Sequence, residues 1–198
     1  MSRILVDQIR SNSASADAIT LDGSGNLTIP GNLTCSGNAS LSGTATGFGG
    51  GKVLQVVYAE TGSQVFNYTA TLADTNLTAT ITPSATTSKI LIIVSQAWSS
   101  RKTNAGYSGG NILLFRGSTQ ITDRTGTSNY DMYISAGGAS SSEIYDRFNL
   151  VQLDEPSTTS ATTYKTQGAA AETVSGGSFI GYQTDNRDSY ITLMEIGA

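Results

Sequence analysis

An all-β protein, with a slender repeat shaft leading into an antiparallel β-sandwich of jelly-roll type, is what this sequence predicts. Three observations carry that expectation. Residues 25–48 repeat in sixes. Residues 52–198 break into short apolar runs at intervals of about 12 residues, bounded by Gly, Asp, Asn and Pro turn signals. Long stretches with apolar residues at helical spacing are almost absent. Composition agrees: charged residues are 13% of the chain and apolar residues 38%, with 22 glycines. That balance describes a β protein with enough oil for a core, not a disordered acidic chain.

Residues 1–18 come first. Ile4, Leu5, Val6 and Ile9 form a short apolar face within MSRILVDQIR, as a short helix or a strand. Ten residues cannot build a core, so this face is expected to dock onto another molecule. Residues 1–10 also lack the apolar core and cleavage site of a secretory leader. A polar, small-residue joint, 11–18, follows.

Residues 19–51 form the second region. Ile19 and Leu21 alternate before a turn at Asp22-Gly23. The sixes then read GNLTIP, GNLTCS, GNASLS, GTATGF. Positions three and five are apolar, so each hexad is a short strand with one oily face carrying Leu27, Ile29, Leu33, Cys35 and Leu41. Four hexads give little more than one coil, and one chain cannot bury that face alone. Several chains winding together would close it, which makes an intertwined, three-stranded shaft and a homotrimer the expectation. The rival reading is a polar linker. A Gly-rich hinge, GFGGG, ends the region.

Residues 52–198 are expected to fold as the sandwich. Strands are expected over 53–59, 64–72, 77–82, 89–98, 111–116, 118–122, 144–153, 161–167, 178–183 and 190–196. The run KILIIVSQAW is nearly continuous in apolar residues and reads as a central strand. The terminal strand reads as lying inside its sheet. Two connections, 99–110 and 123–142, are far longer than hairpin loops and rich in Gly, Ser and Tyr.

Those connections hold the recognition candidates: Arg101, Tyr107, Arg124, Asn129, Tyr130 and Tyr133. Flat amphipathic rings beside polar forks suit binding loops, because Tyr offers contact area at little entropic cost. The competing reading packs Tyr107 and Tyr133 between protomers. Trp98 reads as core or interface.

Catalysis is not expected. With no histidine and one cysteine, neither a Ser-His-Asp nor a Cys-His arrangement exists, nor a Cys/His zinc site. The pairs Glu143/Asp146, Asp154/Glu155 and Asp185/Asp188 offer carboxylates for glycoside hydrolysis, but each sits in a turn or polar loop. At 185–188 a calcium site would have to accommodate Arg187 among its ligands, so a solvated turn is expected and no metal or cofactor. Sequons at Asn26, Asn32 and Asn38 are one hexad position repeated; Asn67 and Asn76 complete the set. Net charge is −4, which gives no footprint for nucleic acid, and no run approaches the length of a membrane helix.

ILVDQIR with ITLDGSGNLTIPGNLT at one end, and FNLVQLDEPSTTSATTYKTQ with SYITLMEIG at the other, resemble short fibre proteins of tailed bacteriophages of marine bacteria and cyanobacteria. That resemblance implies a homotrimer with a slender stalk and a knob of the tumour-necrosis-factor or complement-head kind. It implies docking to another virion structural protein through Ile4, Leu5, Val6 and Ile9, and exposure of the knob on the particle for a host-surface glycan or protein. A capsid-decorating fibre without a receptor role is the alternative, and a glycan-cleaving knob a weaker one.

Overall fold

The computed structural model describes residues 8–9, 19–24, 26–29, 36, 52–103, 106–122, 131–136, 141–171 and 178–197. The chain divides into two units, Met1–Phe48 and Gly49–Ala198.

In the first unit, β1 (Gln8–Ile9), β2 (Ile19–Leu21) and β3 (Leu27–Thr28) form an antiparallel sheet in that order. Asp22 sets the turn between β2 and β3. Its carboxylate accepts the backbone N–H groups of Ser24 at 2.9 Å and Asn26 at 2.8 Å, and the Asn26 amide at 2.7 Å. A short acidic side chain that caps its own turn favours a hairpin at that point. Within residues 1–18 the described pair Gln8–Ile9 is thus a strand, with Ile9 opposite Ile19. Leu27 is 58% exposed and Ile29 half-buried. Leu33, Cys35 and Leu41 lie outside the described residues, as do Ile4, Leu5 and Val6.

The second unit is all β among its described residues: β4 (Val53–Thr61), β5 (Val65–Asn67), β6 (Ala73–Ile81), β7 (Lys89–Lys102), β8 (Gly106–Arg116), β9 (Thr119–Gln120), β10 (Met132–Ala136), β11 (Ser142–Asp154), β12 (Thr162–Ala170), β13 (Phe179–Tyr182) and β14 (Ser189–Ile196). All pairings are antiparallel. One sheet runs β6-β12-β8-β10, with β9 on β8. The other runs β4-β14-β7-β11; the far half of β7 pairs β13, which pairs β5. We call them the β8 sheet and the β7 sheet.

Alternation explains why the sheets face each other. Leu77, Ala79 and Ile81 of β6, with Leu114 and Tyr164, meet Ile90, Ile92, Val94, Ile191 and Leu193 in one core. A second core gathers Trp98, Ile112, Met132, Ala170, Ile180 and Tyr182. Trp98 is therefore a core residue. Gly168 is required here, since a Cβ would collide with the Tyr182 hydroxyl, which donates to the Asn111 carbonyl at 3.2 Å. Strand β14 lies between β4 and β7, as a terminal strand inside its sheet should.

Glu195 on β14 is a buried carboxylate with a positioning role. It accepts the Ser84 N–H at 2.7 Å, the Ser84 hydroxyl at 2.6 Å and the Gln55 amide at 2.7 Å. Burial alone raises its pKa, but these hydrogen bonds outweigh burial and take it from 4.5 to about 2. The β6–β7 connection is thereby tied to the C-terminal strand.

Four expected elements differ. The strand expected over 64–72 stops at Asn67, whose amide donates to the Thr71 and Gly168 carbonyls and whose oxygen accepts the Thr69 N–H, turning the chain. β6 begins at Ala73 rather than 77, through a bulge opposite Lys165–Gln167. Most of 99–110 is strand, because Ser99, Ser100 and Ser108 are buried with their hydroxyls bonded to one another or to Thr184. Within 123–142 lies β10, with Met132 and Ile134 buried and Tyr133 exposed.

Candidate recognition surfaces

Tyr107 and Tyr133 meet. They occupy adjacent strands, β8 and β10, on the side of the β8 sheet away from the core, with Tyr133 opposite Gly109. Their ring centroids are 5.8 Å apart at 31°, and they are 41% and 50% exposed. A glycine across from Tyr133 leaves its ring room to lean toward Tyr107, a geometry that offers an open aromatic surface.

Arg101 is not with them. It lies on the other sheet, with its guanidinium 5.9 Å from the Phe179 ring. Phe179 also takes Phe66 edge-on at 4.8 Å and Tyr68 at 6.5 Å. Adjacency in sequence suggests Arg101 beside Tyr107, but β7 and β8 belong to different sheets. Arg124, Asn129 and Tyr130 lie outside the described residues. Phe66, Tyr68 and Phe179 had no local signal to announce them, because β5 and β13 pair across more than a hundred residues of chain.

The outer side of the β7 sheet carries exposed apolar residues that strand register lines up. Leu153, Leu91, Met194 and Val56 stand in one row across β11, β7, β14 and β4; Val151, Ile93, Thr192 and Tyr58 stand in the next. Val151 is 65% exposed, and Val56, Tyr58 and Leu153 are about half exposed. The row beyond turns polar, with Asn149, Ser95, Tyr190 and Glu60. There Arg147 lies 5.4 Å over the Tyr190 ring and Tyr58 stacks on Tyr190 at 6.1 Å. Scattered exposed apolar residues are ordinary; here they are contiguous, in two adjacent rows on one sheet.

Asp146, Asp154 and Glu155, three of the six paired carboxylates, have structural partners. Asp154 accepts both an Arg116 guanidinium nitrogen, at 2.8 and 2.9 Å, and the Tyr164 hydroxyl at 2.7 Å, while Glu155 pairs with Lys89 at 2.6 Å. Burial and then the Asp154 bond push the Tyr164 pKa far up. Asp146 accepts the Arg147 N–H. In the 185–188 turn Arg187 donates to the Trp98 carbonyl at 2.8 Å and lies 4.7 Å over the Tyr145 ring. Among the described residues no group of three or more His, Cys, Asp or Glu is placed to hold a metal, and no helix is long and apolar enough to cross a membrane.

No protein-family model matches the chain, and no curated protein matches it in sequence. Among solved structures it is similar to chains of infectious bursal disease virus. For the T13 viral particle the identity is 13% and the TM-score 0.35, over 87% of this chain and 42% of that one. For the virus-derived T=1 particle the values are 14% and 0.34, over 87% and 42%. For the Gx strain they are 14% and 0.35, over 85% and 46%. This chain spans less than half of each of those chains, and a likeness of that extent carries no argument about what it does.

Proposed function

We propose that this chain is a trimeric virion fibre protein, docked to its particle through residues 1–18 and presenting its second unit to a glycan or protein on the host surface. The observation that carries this reading is the two-row apolar face of the β7 sheet. An isolated domain that left Leu153, Val151, Val56 and Tyr58 in water would be prone to association, and three copies meeting on this face would bury it. The strand orders β11-β7-β14-β4 and β10-β8-β12-β6 are those of a jelly roll with two Greek keys. In that arrangement the β8 sheet, with Tyr107 and Tyr133, stays on the outside of the assembly. Three knobs on one stalk would multiply weak contacts through avidity. The protein would be assembled in the host cytoplasm and exposed on the particle.

The test is binding of fluorescent full-length protein to a panel of intact bacterial cells. Saturable binding to one host, lost in a Val151→Lys, Leu153→Lys variant that no longer assembles, supports the reading. Equal binding by assembled and single chains, or none to any cell, overturns it.

A further inference from the structure

We infer that the bulge in β6 forms a second ligand site, one that takes a single neutral sugar ring through a vicinal diol. Opposite Lys165 and Gln167, strand β6 supplies three residues, 75–77, where β12 supplies one. Thr75 and Leu77 both turn into the core, and Asn76 loops outward with φ 66°. Asn adopts that left-handed region more readily than most side chains, and here the residue is exposed at the outer surface of the sheet. Above it lies a hollow of about 200 Å³ lined by Asp74, Asn76, Leu77, Thr78, Lys165 and Thr166. That is room for one sugar ring, with the mouth of the hollow open to solvent.

The lining chemistry selects the class. Lys165 pairs with Asp74 at 2.7 Å, and Gln167 donates to the same carboxylate at 2.6 Å. Those bonds hold the Asp74 pKa low, so the carboxylate is charged. Its charge and that of Lys165 cancel, which removes any net preference for an ionic ligand. Both groups still have hydrogen-bonding capacity: an ammonium carries three donors and a carboxylate about four acceptor sites. The exposed Asn76 amide adds two donors and an acceptor at the rim. Adjacent hydroxyls, each donor and acceptor at once, satisfy such a set; an apolar or singly charged ligand does not.

The site needs neither the tyrosine pair nor assembly, so its failure and that of the fibre reading are separable. The experiment is saturation-transfer NMR on the full-length protein with glucose, galactose, mannose and N-acetylglucosamine in turn. At least one sugar should receive saturation from the wild type. Asn76→Gly removes the amide and keeps the left-handed backbone, and Lys165→Met keeps the stem without the charge. Each should weaken that sugar's affinity about fivefold or more, the worth of one hydrogen bond, with unchanged melting temperature, and Tyr133→Ala should leave it unaltered. Saturation of no sugar, affinity unchanged in both hollow variants, or a loss confined to Tyr133→Ala would overturn the assignment.

Discussion

The two outer faces of the sandwich are made by the same rule and end up opposite in character. On the β7 sheet, the residues pointing away from the core are Leu91, Ile93, Met194, Val56, Val151 and Leu153. Toward the β6 edge of the β8 sheet, they are Asp74, Thr78, Thr80, Thr163, Lys165 and Gln167, with the Thr80 and Thr163 hydroxyls bonded at 2.8 Å. Period-two alternation needs one apolar face per strand to make a core. The polar edge obeys that requirement and stops there. The β7 sheet exceeds it, and the excess is what a sandwich folding alone has no use for.

Breaking that contrast should produce its largest effect in assembly. Val151→Lys with Leu153→Lys puts two charges among the apolar rows of each copy and is expected to abolish association outright, read by sedimentation. Thr80→Lys, a charge on the opposite face, is expected to leave the mass unchanged. Were both variants to assemble normally, the apolar face would not be the joint.

Neighbours on one strand sharpen the contrast. Ile92 points into the core and is fully buried; Ile93 points out and is half-buried. Ile92→Ala is expected to cost about 2–5 kcal/mol of folding stability. Ile93→Ala should cost much less in chemical denaturation and act chiefly on association. Equal losses in the unfolding midpoint would refute the inside-outside division.

Glu195 adds a pH test. Its folded pKa is depressed, so its stabilisation is present above 4.5 and is lost as pH falls from 4.5 toward about 2. Glu195→Gln should lower stability at neutral pH by about 1–3 kcal/mol, as loss of a charge-assisted bond does, and flatten the acid decline. Thermal melts between pH 7 and pH 2 decide it; parallel curves for the two proteins would contradict the linkage. The smallest effect is expected at the tyrosine pair. Tyr133→Ala removes one exposed ring from the proposed binding surface; loss of one aromatic contact to the ligand, about 0.5–1.5 kcal/mol, would weaken cell-surface binding by up to roughly tenfold with assembly intact.

The all-β fold was legible in the sequence, and the reason lies in strand length. The runs at 53–59, 89–98, 144–153 and 190–196 each carry their pattern within one strand, so the all-β reading and the sandwich follow from them. Strand β10 was hidden because MYISA alternates only briefly within a polar stretch. Arg101 was grouped with Tyr107 because sequence spacing does not say where a strand ends and the chain crosses to the other sheet. The apolar rows were not read at all: they exist only once Leu153, Leu91, Met194 and Val56 are in register, and register across four strands is a long-range property. The hexads that first suggested three chains lie mostly outside the described residues, so the apolar face supports association by a separate route.

The most direct measurement is the mass of the full-length protein in solution, taken beside the Val151→Lys, Leu153→Lys variant at equal concentration. A wild type near three times 20.6 kDa with a variant at 20.6 kDa is the expected pair of values. A wild type at 20.6 kDa, or a variant that keeps the threefold mass, would contradict assembly through the β7 sheet.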